Sequence, residues 1–236
     1  MEFKDLKKQY FWNITLVLIG INVIMFILQQ FIPGMTEALL LDASKLWAEP
    51  WRLVTSMFLH ADIWHILFNM YALFIFGILI EQRIGSKRFL FAYFAFGILA
   101  GIGASFFYPK ALGASGAIMS ILGLTIMLLP DMRVLFFFVI PMSMRTAGII
   151  FALVDIVGIF IPMGVANIAH LIGLAFGLLY GWYLIRRKRV MQERVLGVEY
   201  YEAKPTKNKK PKTAKKKDTI ELSDEDVEEY IKTGRI

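Results

Sequence analysis

Long apolar runs separated by short polar breaks occupy the chain from about residue 11 to residue 187. A bilayer core about 30 Å thick needs about 20 apolar residues per helix, so these runs predict membrane-spanning helices. Continuous runs favour an all-α polytopic membrane protein over the short alternating segments of a β-barrel. The predicted spans are six: about Phe11 to Phe31, Ile63 to Ile80, Phe89 to Phe107, Ala114 to Pro130, Arg145 to Phe160 and Ala166 to Ile185.

Two stretches between these spans are not simple turns. The stretch from Met35 to His60 is too long for a tight turn and is rich in aromatic and charged residues, so we expect a structured surface loop with short helices. The run from Val134 to Ile140 is apolar but too short to cross a bilayer, so we expect it to lie at the interface.

Lysine and arginine are distributed unevenly among the polar breaks. If the N-terminus is inside, most of them fall on inside segments, and the outside segments hold only Lys45, Arg52 and Lys110. The positive-inside rule therefore predicts a multi-pass protein of the cell membrane with both termini in the cytoplasm.

Composition adds a tail to this picture. The net charge of +7 comes mainly from the Lys-rich segment after residue 186, which lacks interleaved aromatic residues and so favours lipid or solvent over nucleic acid. We predict a cytoplasmic N-terminus (1–10), a six-span core (11–187), a Lys-rich linker (188–218) and a short acidic amphipathic helix (219–236). The absence of cysteine excludes disulfide bonds, zinc–thiolate sites and a cysteine nucleophile.

The three histidines of the chain are the first candidates for chemistry. His60, His65 and His170 all fall in or beside predicted spans, where ionisable groups are costly and tend to mark function. Asn69 follows His65 by four residues, so the two side chains share one helix face. Taken alone, each of these residues could equally form a buried hydrogen bond between helices.

A serine between glycines opens the predicted fourth span. Ser115 lies between Gly113 and Gly116, where free backbone N–H groups and the helix dipole suit a developing oxyanion. Glycine and serine also mediate plain helix packing, so this signal is weak by itself.

The predicted topology places these residues at one depth. Ser115 and His170 fall at or near the outer ends of their spans, and His65 and Asn69 fall in the outer half of the second span. A serine, a base within reach and extra hydrogen-bond donors are the parts of acyl transfer. No aspartate is obviously placed to orient His170, so we predict a Ser–His dyad. Asp155 is the best candidate for a third member, but we expect it near the outer interface, in packing or hydration.

Taken together, these motifs resemble those of the rhomboid family of intramembrane serine proteases. The six predicted spans are similar to the six-helix rhomboid core. The matching motifs are His60-x4-His65-x3-Asn69, Gly113-x-Ser115-Gly116 and Ala169-His170-x2-Gly173-x3-Gly177, with Trp51-Arg52 and Glu81-x-Arg83.

The resemblance implies a role for each motif residue. Ser115 would be the nucleophile and His170 the general base, and the oxyanion hole would be formed by His65, Asn69 and the Ser115 backbone N–H. The supporting residues would be Gly113 and Gly116 in the serine loop, Gly173 and Gly177 between the fourth and sixth helices, Glu81 and Arg83 at a cytoplasmic loop, Trp51, Arg52 and His60 in a membrane-embedded first loop, and residues 162–165 in a cap. Met119 stands where many members have an aromatic residue under the histidine, a space that a thioether can fill.

The implied activity is cleavage of single-span membrane proteins near the outer face of the bilayer, with no metal or organic cofactor. A catalytically inactive relative that binds membrane proteins is a second hypothesis, disfavoured by the intact Ser115 and His170 pair. A transporter or channel is a third, disfavoured because the sequence shows no inverted repeat and no interrupted helix pair.

Overall fold

The computed structural model describes residues 13–136, 139–161, 164–196 and 223, and the chain divides into two compact units, Met1–Gly181 and Trp182–Ile236. Its α-helices are α1 (Ile14–Phe31), α2 (Met35–Leu39), α3 (Arg52–Thr55), α4 (Ile63–Ala72), α5 (Ile78–Ile84), α6 (Ser86–Ser105), α7 (Ser115–Leu128), α8 (Met144–Phe160) and α9 (Asn167–Leu196). Two antiparallel strand pairs accompany them: β1 (Leu41–Asp42) with β2 (Lys110–Ala111), and β3 (Arg133–Phe136) with β4 (Ile140–Ser143).

The described residues include four helical segments long and apolar enough to cross a membrane, which confirms a mostly helical, multi-pass membrane protein. They are Ile14–Phe31, Ile63–Ile84, Ser86–Ser105 and Asn167–Met191. The second of these joins α4 to α5 through a π-helical stretch, Leu73–Gly77. At 14 and 17 residues, α7 and α8 are shorter than these segments.

Of the run from Val134 to Ile140, residues 134–136 belong to β3 and Ile140 begins β4, and Val134 pairs with Met142. One expectation about boundaries differs from the structure. Residues 188–196, expected to begin the linker, continue α9 instead, because basic residues end an apolar run without ending a helix. The predicted N-terminal segment, the rest of the linker and the acidic helix lie outside the described residues, apart from Ser223.

The first loop is structured, as expected, and Arg52 is its organising residue. The Arg52 side chain is only 4% exposed and donates to the carbonyl oxygens of Glu37 at 2.9 Å and Leu40 at 2.8 Å. It also forms an ion pair with Glu49. Trp51, its neighbour in the motif, is 54% exposed.

Helix α7 is the central helix of the first unit. Residues 117–125 are all buried, on every face of the helix, which is typical of a helix surrounded by others. Glycines allow α9 to approach it: a β-carbon on Gly173 would overlap the carbonyl oxygen of Gly116, and one on Gly177 would overlap that of Ser120. The two backbones are therefore in direct contact along this seam.

Glu81 joins the starts of two helices. Its buried carboxylate accepts hydrogen bonds from the Ile14 and Thr15 backbone N–H groups, both at 2.9 Å, and from the Thr15 hydroxyl at 2.8 Å. It also accepts from the Ser86 hydroxyl at 2.6 Å. Glu81 therefore ties α1 to α6, whereas Arg83 is exposed on the surface.

In the second unit, the described residues continue α9. There the Arg186 guanidinium lies 4.3 Å from the centre of the Trp182 ring, a cation–π contact within one helix.

Candidate active site

Three helices begin at the same end of the first unit, and each carries a candidate residue in its first turn. Ser115 is the first residue of α7, His65 lies in the first turn of α4, and His170 lies in the first turn of α9. The loop glycine Gly113 joins two of them, since a β-carbon there would lie 2.8 Å from His65 Nε2 and 3.6 Å from Ser115 Oγ. Gly116 lies against α9, because its β-carbon would come within 3.8 Å of the Ala169 carbonyl oxygen.

The turn before Ser115 requires a glycine. Gly113 has φ of +123°, a backbone conformation that residues with a β-carbon rarely adopt. Its N–H donates to the Ser56 carbonyl oxygen at 2.9 Å, which fixes the turn to the first loop. Ser115 is partly exposed at the start of α7, so its hydroxyl is accessible from this end.

His65 has a defined tautomer. Its Nδ1 accepts a hydrogen bond from the Ala61 backbone N–H at 3.3 Å, so the neutral ring carries its proton on Nε2. Nε2 is the atom nearest the ideal β-carbon position of Gly113, so the hydrogen-bond donor of His65 faces the turn before Ser115. Asn69 lies one turn further along α4, buried, and donates to the His65 carbonyl oxygen at 3.0 Å through Nδ2.

His60 supports His65 through ring packing. The two rings meet edge to face with centroids 5.0 Å apart, and the His60 side chain is 1% exposed. Neither ring nitrogen of His60 has a hydrogen-bond partner among the described residues. Burial, assisted by the neighbouring His65, lowers the pKa of His60 to about 3, so the ring is neutral at physiological pH.

Gln29 holds the backbone of His60, a role that the sequence analysis missed. Its Oε1 accepts from the His60 N–H at 3.0 Å, and its Nε2 donates to the His60 carbonyl oxygen at 3.2 Å. The same amide donates to the Thr36 hydroxyl at 3.0 Å. The available signal was an amide within an apolar span, where an unpaired polar group is costly.

His170 bonds to Asp155, contrary to the expectation that this aspartate serves packing or hydration at the outer interface. His170 Nδ1 lies 2.9 Å from Asp155 Oδ1, and the two side chains are 16% and 8% exposed. Among the described hydrogen bonds, none joins His170 to Ser115. Catalytic hydrogen bonds are often long in a substrate-free protein and shorten when substrate binds.

Met119, the residue expected to fill the space under His170, lies in the core beside α9. Met119 is buried with Leu122, Met144 and Leu174, and a β-carbon on Gly173 would lie 3.4 Å from its Cβ. Met119 therefore lies beside the second turn of α9.

A pocket opens beside Ser115 and is lined mainly by small residues. Its walls include Gly97, Ala100 and Ala104 of α6, and Ser56 and Met57 of the first loop. Among the described residues no cluster of three or more His, Cys, Asp or Glu side chains could bind a metal ion. The arrangement offers a serine hydroxyl, an imidazole paired with a carboxylate, and hydrogen-bond donors.

Comparisons with a family model and with individual known proteins point to the same family. The family model described as "Rhomboid domain" matches residues 48–187. The chain is 31% identical over 199 residues to "Rhomboid protein 1, mitochondrial" of Saccharomyces cerevisiae, an alignment that covers 78% of this chain and 57% of that relative.

Two bacterial relatives are also similar. The chain is 34% identical over 175 residues to "Rhomboid protease GluP" of Bacillus subtilis, covering 69% of this chain and 33% of the relative. It is 34% identical over 144 residues to "Putative rhomboid protease YdcA" of the same organism, covering 59% of this chain and 70% of the relative. The chain thus spans about a third of the length of the first of these two relatives.

Proposed function

Because this chain belongs to the rhomboid family, we propose that it is an intramembrane serine endopeptidase that cleaves transmembrane segments of membrane proteins near the outer face of the bilayer. Two of its relatives are named as a rhomboid protease and a putative one. The substrates of this chain would accordingly be membrane proteins.

One observation carries this proposal: His65 and Ser115 both face the same side of Gly113. The ideal β-carbon position of Gly113 lies 2.8 Å from the protonated Nε2 of His65 and 3.6 Å from Ser115 Oγ, so both side chains border the turn before α7. An oxyanion-hole donor lies about 2.7–3.1 Å from the oxyanion it stabilises. A substrate carbonyl carbon attacked by Ser115 Oγ would therefore hold its oxygen on the side where His65 presents a hydrogen-bond donor.

The proposed reaction follows from these positions. His170 removes the Ser115 proton, and Ser115 Oγ attacks the scissile carbonyl carbon. The developing oxyanion accepts hydrogen bonds from His65 Nε2, Asn69 Nδ2 and the Ser115 backbone N–H. His170 then protonates the leaving amine, and water hydrolyses the acyl-enzyme by the same route. Every proton transfer uses protein groups or water, so the proposal includes no metal or organic cofactor.

The length of α7 supports a site within the bilayer. Fourteen residues at about 1.5 Å each give a helix of about 21 Å, shorter than a hydrocarbon core of about 30 Å. If the end at Leu128 reaches the inner interface, Ser115 lies below the outer one. We propose six spans, counting α7 and α8, with both termini in the cytoplasm.

Access for a substrate is proposed between α4 and α8. Both helices have strongly exposed apolar side chains; Phe68 of α4 is 64% exposed and Val157 of α8 is 53% exposed. A substrate helix entering there must unwind locally. Its extended backbone is tolerated only inside protein or a wet cavity, so the site should be open to water from outside.

The test is cleavage of a single-span substrate by the purified chain in liposomes. We expect cleavage within or beside the span, loss of cleavage in Ser115→Ala and in His170→Ala, and no effect of a chelator. If no cleavage is seen, a fluorophosphonate tests whether Ser115 is reactive. Labelling of Ser115 would mean that the chosen substrate was wrong, and no labelling would mean that the serine is not activated. A folded wild-type chain that neither cleaves nor labels would support the inactive-relative hypothesis instead.

A further inference from the structure

We propose that Asp155 is a positioning residue for His170, so that the proposed dyad works as a Ser–His–Asp arrangement across the contact between α8 and α9. This inference rests on the proposed proteolytic function and deepens it. The observation behind it is the 2.9 Å contact between Asp155 Oδ1 and His170 Nδ1.

The surroundings of Asp155 explain why it needs this partner. Its neighbours Val154 and Ile156 are 56% and 44% exposed on an apolar helix, whereas Asp155 is 5% exposed and turned inward. A carboxylate buried without a partner is strongly destabilising, and His170 is the partner that the described structure provides. The hydrogen bond between Asp155 and His170 therefore stabilises the packing of α8 against α9.

A second contact one turn away fixes the spacing of the same two helices. Gly158 lies three residues after Asp155, and Asn167 lies three residues before His170. A β-carbon on Gly158 would lie 2.6 Å from the amide nitrogen and oxygen of Asn167, so a larger residue at position 158 would push the Asn167 amide away. Because the helices run antiparallel, the close pair Gly158–Asn167 keeps Asp155 and His170 within hydrogen-bond distance.

The chemical consequence concerns the tautomer of His170. A carboxylate can only accept, so the contact places the imidazole proton on Nδ1 and leaves the Nε2 lone pair free. A general base for Ser115 requires this tautomer, in which Nε2 accepts the serine proton. The carboxylate also restrains rotation of the ring and stabilises the imidazolium that forms after proton transfer.

The experiment measures the tautomer and the kinetics together, on the full chain. Histidine-selective nitrogen NMR is tractable because the sequence holds only three histidines, and His60 and His65 variants assign the other two. We expect His170 protonated on Nδ1 in the wild type. In Asp155→Asn we expect a shift toward protonation on Nε2, because the amide can donate to Nδ1.

The kinetic arm uses Asp155→Asn, Asp155→Glu and, as a control away from the proposed entry, Leu179→Ala at an exposed position of α9. We expect kcat to fall about 10²-fold in Asp155→Asn with little change in KM, partial recovery in Asp155→Glu, and wild-type kinetics in Leu179→Ala. Fluorophosphonate labelling of Ser115 should fall in parallel with kcat.

Several results would overturn the inference. Protonation of His170 on Nε2 in the wild type would do so without any variant, even if Asp155→Asn failed to fold. Wild-type kcat in a folded Asp155→Asn would do so as well. Cleavage that needs Ser115 and His170 but not Asp155 removes only this inference, whereas cleavage that survives Ser115→Ala removes the proposed function itself.

Discussion

Replacing Gly113 with alanine adds a methyl group against His65, the proposed oxyanion-hole donor. The new β-carbon would lie 2.8 Å from His65 Nε2 and 2.9 Å from Cε1, where ordinary contact begins near 3.4 Å. Either the His65 ring moves by roughly 0.6 Å or the turn before Ser115 shifts, and a misplacement of about 1 Å can cost about 10²-fold in rate. The loss of one oxyanion-hole donor costs about 10²–10³-fold in kcat. We therefore expect kcat to fall by at least about 10²-fold.

Backbone strain has to be separated from displacement of the His65 ring, and Gly34 provides the control. Gly34 has φ of +79° but nothing within 4 Å of its β-position, whereas Gly113 combines positive φ with crowding. Strain of about 1–3 kcal/mol should lower the thermal stability of both alanine variants. Kinetics measured well below both melting temperatures should show a loss of kcat in Gly113→Ala only. A folded Gly113→Ala that retains more than a tenth of the wild-type kcat would refute the proposed role of His65 as an oxyanion-hole donor.

Further predictions concern packing and the first loop. Gly123→Ala places a β-carbon 2.5 Å from the Leu174 carbonyl oxygen and should lower the melting temperature and activity, whereas Gly20→Ala meets nothing within 4 Å and should leave activity unchanged and raise the melting temperature. Gln29→Leu removes both bonds to the His60 backbone and should increase hydrogen exchange in the first loop, while Gln30→Leu, which loses only an exposed bond to the Phe26 carbonyl, should not. The pKa of His60 is about 3 in the folded chain against an ordinary 6.5, so an unfolded chain gains a proton that the folded chain does not. Stability should therefore decrease as pH falls from 6.5 toward 3, by about 2 kcal/mol at pH 5, and chemical denaturation of His60→Gln should lack this contribution.

The helices were predictable from the sequence because a run that crosses the bilayer must be apolar over about 20 residues. Apolar length places the starts of α6, α7 and α9 to within a few residues, and the first-turn positions of Ser115 and His170 follow from the starts of α7 and α9. The π-helical stretch was not predictable from hydropathy, and Gly77 at its end packs closely against α1. There a β-carbon would lie 2.6 Å from the Thr15 methyl group, a tertiary contact that no local pattern encodes.

The roles of Asp155 and Gln29 needed tertiary information for the same reason. Each is a polar residue in an apolar span, a signal that predicts some partner without identifying it. The partner depends on how each helix is rotated about its axis. Asp155 meets His170 because Gly158 and Asn167 set the spacing of α8 and α9, and Gln29 meets His60 because the first loop folds back onto α1.

The starts of the three site helices differ in how their free N–H groups are bonded, and this difference bears on the chemistry. The first N–H groups of any helix lack partners within it, which is costly in an apolar medium. At α4 the Asp62 carboxylate accepts from the His65 N–H at 2.9 Å, and at α9 the Tyr108 hydroxyl accepts from the Ile168 N–H at 3.3 Å. No side chain in the described structure caps α7. Its free N–H groups, with the helix dipole behind them, attract negative charge at the residue that carries the proposed nucleophile. The proposed oxyanion would accept hydrogen bonds from these N–H groups. The same substrate oxygen would therefore bind at the site and cap α7.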